Sequence, residues 1–226
     1  MHLYLTAGGR RFGILADWTS LDLYPTTLRI IARVSARIFV GFPLCRDEDW
    51  LKTSIRFTID VFNTAFEIRS VPWFFRPFKA YFHQAARSVK SHRKLAKARL
   101  APIIEARLAE EEEAKKAGRS PENHDDMLQW LMDVVKPEHK NAEALGEMQL
   151  LTSMAAIHTS NITFINVLLG LASHPEYIQP LREEIETAIK EDGGAVQKAT
   201  LRKMKKLDSF MRECLRARMG LCKWHI

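Results

Sequence analysis

The sequence predicts an all-α protein, and three features carry that reading. Apolar residues recur every three or four positions along most of its 226 residues. The breaks between these runs hold helix punctuation: Pro, Thr and Asp at starts, Gly at stops. Period-two alternation of apolar and polar residues, the mark of a half-buried strand, is nearly absent.

The first helix lies in "YPTTLRIIARVSARIFVG", with Leu28, Ile31, Ala32, Ser35 and Phe39 on one face and Gly41 as its stop. The next opens with Asp47, Glu48 and Asp49, acids that suit the positive end of a helix dipole. Trp50, Leu51, Ile55, Thr58, Val61, Phe62 and Phe66 then form its stripe. Pro72 and Pro77 break the following segment. Its aromatics, from Trp73 to Phe82, form an apolar hinge that either packs under a loop or offers a surface to a ligand or membrane. One very long helix is expected from about Lys79 to Ala117, basic first and acidic after, with both runs read as solvated faces. "DDMLQWLMDVV" is a short amphipathic helix, and a long one runs from about Ala142 to Ala172. A further helix starts at Pro175 and stops at Gly193 and Gly194, and "LRKMKKLDSFMRECLRARMG" is the last.

Composition bounds the function. Hydrophobic residues make up 46%, enough for one large core or two small ones. The net charge of +7 permits attraction to nucleic acid, anionic lipid or an acidic protein. Mixed signs along most helices argue against a dedicated nucleic-acid role. Cys45, Cys214 and Cys222 have no regular spacing, which argues against a disulfide framework or a zinc site and fits a reducing compartment. No run of 18 apolar residues spans a membrane, and the N-terminus lacks the form of a secretory signal.

The long helix holds an irregularity. Its right half, with Phe164, Ile165, Val167, Leu168, Leu169 and Leu171, reads as core, whereas His158, Thr159, Ser160, Asn161 and Thr163 form a polar knot. Helical Ser and Thr bond back to a carbonyl one turn earlier and can bend the helix. Ala155 and Ala156 just before them would let a flat or bulky group approach. The knot is therefore a notch over a cofactor, or a polar face that meets solvent. In the last helix Glu213 and Arg216 share a face, at a spacing also common in surface pairs.

Taken together, "AAIHTS", "HPEYIQPLREEI" and "LDSFMRECLR", with "ARVSARIFVGFPLCRDEDWL" and "DDMLQWLMD" upstream, resemble the cytochrome P-450 heme-thiolate monooxygenases of fungal secondary metabolism. The resemblance covers residues 17–216 as a partial domain; residues 1–16 and 217–226 are unmatched. It implies the helical middle of that fold, without most of its β-structure. It further implies heme as cofactor, a small apolar organic substrate and a reductase partner delivering electrons from NADPH. The implied location is the endoplasmic-reticulum membrane, held by an anchor not found in this sequence; without it the chain is expected to be cytoplasmic or unstable. No nucleic-acid partner is implied.

By the same resemblance Thr159 is the catalytic hydroxyl that meets dioxygen and its waters, and Ala155 and Ala156 make room for the cofactor. His158 stands where the family has a carboxylate that feeds protons inward, and a histidine can also relay protons. Glu213 and Arg216 match the family's Glu-x-x-Arg pair, a buried scaffold near the heme. The family's Phe-x-x-Gly-x-x-x-Cys-x-Gly loop, source of the axial thiolate, is not in this sequence. None of the three cysteines fits that pattern, so no metal ligand is assigned, and the chain is expected to be a truncated, inactive piece of the monooxygenase. The alternative is a non-catalytic helical binding protein or remnant. Phe62, Phe66 and Ile157 are expected either to line the substrate space or to pack in the core.

Overall fold

The computed structural model describes residues 2–5 and 19–218. Strands β1 (His2–Leu5) and β2 (Thr19–Asp22) pair antiparallel, His2 opposite Asp22. The rest is helical: α1 (Leu23–Phe39), α2 (Glu48–Arg69), α3 (Arg76–Phe82), α4 (Gln84–Lys116), α5 (Met127–Val134), α6 (Ala142–Ser173), α7 (Ile178–Glu191), α8 (Lys198–Lys203) and α9 (Lys205–Arg218). The all-α expectation holds among the described residues. The chain divides into two compact units, one up to Thr159 and one from Ser160 onward, so that α6 runs out of the first into the second.

The first unit is built on a continuous apolar core. Trp50 and Phe57 of α2, Leu100 and Ile104 of α4, Leu128 and Met132 of α5 and Leu145, Leu150 and Ile157 of α6 are almost wholly buried. Trp50 lies on the stripe that the three-to-four spacing marks in α2, but Phe57, outside that stripe, is buried, and Phe62 and Phe66, within it, are exposed. Side-chain caps fix the helix starts. Asp47 accepts from the Trp50 N–H at 2.8 Å, Asp126 from the Gln129 N–H at 2.9 Å and Asn141 from the Ala144 N–H at 3.0 Å. Asp126 is also gripped by both arms of the Arg107 guanidinium, at 2.9 and 2.6 Å, with both side chains buried. Gly41, at a φ of 64°, passes so close to that carboxylate that a Cβ would sit 2.8 Å from it. Glycine is needed there on both counts.

The long basic-to-acidic helix is in fact two. His83 takes an extended conformation (φ −71°, ψ 128°) and separates α3 from α4. The backbone bonds run straight up to this corner from both sides, His83 N–H to Lys79 and Arg87 N–H to the His83 carbonyl. No Pro or Gly marks it, which is why periodicity alone reads through it. The charged faces of α4 do pair outward: Arg99 with Asp49, Arg93 with Glu147, Lys97 with Glu143.

The second unit also departs from expectation. The last helix is split at Met204 into α8 and α9, and the carboxylate of Glu184 on α7 accepts from the Lys206 and Leu207 N–H groups at 2.8 and 2.9 Å. A cap supplied by another helix leaves no local trace in the sequence. The right half of α6 is not plain core either. Ile165 is buried, but Phe164 is exposed and Val167, Leu168, Leu169 and Leu171 are half-buried. Here α9 lies against α6 at Gly170, where a Cβ would strike the Cys214 sulfur and crowd Phe210, and that contact covers only one side of the helix.

Candidate functional site

The α6 turn at residues 155–160 is set by what holds the opposite side of the helix. Gly146 lies against the backbone of Ala96 and Lys97 on α4, where a Cβ would be 3.4 Å from the nearest atom. One turn on, the buried Gln149 amide donates to the Phe39 carbonyl at 3.0 Å. Ser153 and Ile157 continue this buried stripe. His158 ends it: its ring lies between the Tyr24 hydroxyl of α1 (3.2 Å to Nδ1) and the Ile55 carbonyl of α2 (3.1 Å to Nε2). Burial lowers the imidazole pKa, outweighing the bond to Ile55, so the ring is neutral near pH 7. α6 is long and apolar enough to cross a bilayer by composition, but Gln149 and His158 bond it to α1 and α2.

The other face is open. Leu151, Ala155 and Thr159, spaced by four, are exposed, and Ala156 is half-buried beside them. The Thr159 hydroxyl donates to the Ala155 carbonyl at 2.6 Å and approaches that of Ala156 at 3.3 Å. This is the back-bonding expected from its position. Donation to Ala155 leaves the oxygen lone pairs free to accept from a molecule on the open face. A flat group can lie against Ala155, whose side chain is a single methyl.

Of the residues expected at the site, the structure brings Ala155, Ala156 and Thr159 together. It separates His158 from them. The ring points to α1 and α2, and both its nitrogens are engaged away from the Thr159 hydroxyl. The inward relay expected of His158 therefore has no link to Thr159 in this arrangement, because successive helical residues point about 100° apart. Glu213 and Arg216 do form their pair, at 2.8 and 2.5 Å, but in solvent rather than buried. No described side chain other than the partner bonds to either. Ile157 is core, whereas Phe62 and Phe66 are exposed. The hinge aromatics are not packed away: Trp73 is 77%, Phe78 68% and Tyr81 71% exposed. Tyr24 escaped sequence reading, since a tyrosine in the first turn of a helix carries no signal of a contact 134 residues away.

The open face suits the distal side of a heme: small, accessible, with one hydroxyl. Among the described residues neither Cys45 nor Cys214 is open to such a group. Cys45 is buried in the apolar core with Leu44, Cys214 is buried against Gly170, and no cluster of His, Cys, Asp or Glu could hold a metal. Cys222 lies outside the described residues.

The cytochrome P450 family model matches residues 15–222. A cytochrome P450 monooxygenase of Emericella nidulans is 40% identical over 204 residues, 89% of this chain and 37% of the relative. Another, of Annulohypoxylon truncatum, is 39% identical over 209 residues, 91% of this chain and 40% of the relative. The chain thus spans about two fifths of the length of these relatives. Among solved structures, the cyanobacterial CYP120A1, determined with retinoic acid bound, superposes with a TM-score of 0.60 at 22% identity, over 87% of this chain and 40% of that one.

Proposed function

From the premise that this chain belongs to the cytochrome P450 family, we propose that it forms the helical portion of a heme-dependent monooxygenase acting on a small apolar, secondary-metabolite substrate. The observation that carries this reading is the joint exposure of Ala155 and Thr159 on one face of a helix whose other face is locked in core. Heme, when bound, supplies the activation of dioxygen, with electrons from an NADPH-dependent reductase. The chain's own part is threefold. Ala155 and Ala156 admit the flat ring, and Thr159 holds a hydroxyl over it. That hydroxyl passes from donating to the Ala155 carbonyl to donating outward, so it can place one proton at a defined point beside the substrate. Leu151 extends the same face with an apolar surface that excludes water.

A membrane contact is part of the proposal. Between Glu67 and Glu105 the chain carries nine basic residues and no acid. Within that stretch Trp73, Phe74, Phe75, Phe78, Tyr81 and Phe82 are all more than half exposed. Exposed rings flanked by cations fit an interface with anionic lipid headgroups.

Heme titration of the chain tests the site. Saturable one-to-one uptake is expected, and Ala155→Trp, which fills the open face, should abolish it while leaving the helical signal intact. Uptake that never saturates, or that ignores Ala155→Trp, would overturn the assignment. Neither Cys45→Ser nor Cys214→Ser should alter the spectrum of the bound heme, because both thiols are committed to packing.

A further inference from the structure

The Tyr24 and His158 contact joins a residue of the matched string to one outside it, across two elements of the first unit. A carbonyl can only accept, so the 3.1 Å approach to the Ile55 oxygen places the ring proton on Nε2. A neutral ring protonated there presents Nδ1 as a bare acceptor, and the Tyr24 hydroxyl at 3.2 Å is its donor. Burial pushes the Tyr24 phenol up, which keeps that proton in place. The ring is thereby held at both nitrogens by two different helices, in one tautomer and one orientation. The bond to Tyr24 is made at the start of α1, the bond to Ile55 within α2, and the residue so held immediately precedes Thr159. A helix cannot turn about its axis at position 159 while position 158 is clamped from two sides.

We infer that Tyr24 is a positioning residue that acts through His158: with the Ile55 carbonyl it fixes the rotation of α6 that turns Ala155 and Thr159 to the open face. The consequence for the open face rests on the reading of that face as the cofactor side, but the pair itself does not. Three measurements on the heme-free chain test it. First, Tyr24→Phe removes a single oxygen from a side chain 42% exposed, so the fold should survive. In this variant the Nδ1 nitrogen resonance of His158 should move downfield, toward that of an acceptor without a partner, while Nε2 stays protonated. Second, amide hydrogen exchange should quicken at residues 155–160. Third, the urea midpoint should fall in Tyr24→Phe, but Tyr24→Phe should cost nothing further in a chain already carrying His158→Leu. Additive losses in that cycle, or an unmoved Nδ1 resonance, would show that Tyr24 only packs and would overturn the inference. The Nδ1 resonance decides the matter alone should His158→Leu not fold. Because no heme is present, a chain that takes up no heme overturns the proposed face and leaves the positioning pair to be judged on its own result.

Discussion

The unit that ends at Thr159 and the unit that begins at Ser160 are both helical, yet different forces hold them. The first closes over large apolar side chains: Trp50, Phe57, Leu100 and Leu145 are all at or below 1% exposure. Its buried charge pair, Arg107 with Asp126, is bidentate and also caps α5. The second buries fewer large side chains, with Leu181 and Met204 beside the smaller Ala188, Thr200 and Cys214, and adds carboxylates at helix ends. Glu184 caps α9, and Asp192 takes the Thr200 hydroxyl and the Lys203 ammonium. Between α6, α7 and α9 it leaves an open cleft of about 850 Å³ beside Gly170, Tyr177, Phe210 and Cys214. Core and cap thus divide the work of making helices pack. The core fixes positions to a fraction of a turn, and the caps fix only where a helix begins.

The largest effect expected is in the first unit. Arg107→Leu strands a buried carboxylate, and losing one member of such a pair costs about 3–5 kcal/mol. Urea denaturation followed by Trp fluorescence and far-ultraviolet dichroism should show it. A loss below about 1 kcal/mol would mean that water reaches Asp126, and the contrast between the units would weaken.

Glu184→Ala is the matching cut in the second unit. It frees two backbone N–H groups that solvent can reach, so a cost near 1 kcal/mol is expected. Exchange of the Lys206 and Leu207 amides should quicken, with little change in the first unit. A loss as large as that of Arg107→Leu would make the cap as decisive as the buried pair.

pH should separate the two units more finely. Folding depresses the His158 pKa from its ordinary 6.5, chiefly through burial. The unfolded chain therefore takes up that proton first. The stability contributed by His158 is complete above pH 6.5 and is lost as pH falls through the depressed folded value. For Glu184, burial pushes the carboxyl upward, but the N–H groups of Lys206 and Leu207 outweigh it and hold it below its ordinary 4.5. Its contribution persists to lower pH and is lost only as pH falls below about 4.5. Exchange measured residue by residue should show α6 near His158 loosening before α9 does. The reverse order, or an onset that survives His158→Leu, would break the assignment.

The same contrast explains what could be read from the residues alone. Trp50 and Leu51 announce themselves by spacing, because a helix that buries one face must repeat apolar residues at its own period. Ala155, Ala156 and Thr159 were legible for a different reason: small residues beside a helical hydroxyl make a distinctive string. The corner at His83 and the break at Met204 were not legible, since neither needs an unusual residue and the cap after Met204 comes from Glu184 on another helix. The exposure of Trp73 and Phe78 was also hidden, because an aromatic run reads the same whether a loop covers it or solvent does. His158 shows the limit most clearly. Its type suggested proton traffic toward Thr159, whereas its direction, fixed by Tyr24 and Ile55, points elsewhere.

The smallest effect expected is at Glu213 and Arg216, and it bears on how far a motif carries its surroundings with it. The two side chains are bonded to each other, and 60% and 75% of their surfaces are open to water. Arg216 lowers the Glu213 pKa by its hydrogen bond, so the contact is electrostatically felt. Solvent screens an exposed pair, and ordering two long side chains offsets much of what remains. Neither charge is stranded when the other is removed, because water replaces it. Glu213→Gln and Arg216→Ala should therefore leave the thermal midpoint of this chain where it was, and raising the salt concentration should not separate either variant from the parent. A drop exceeding that of Glu184→Ala would mean that the pair is covered by protein after all. In that case the second unit would hold a buried charge lock of the kind seen at Arg107 and Asp126, and the distinction between a unit held by its core and a unit held by its caps would fail.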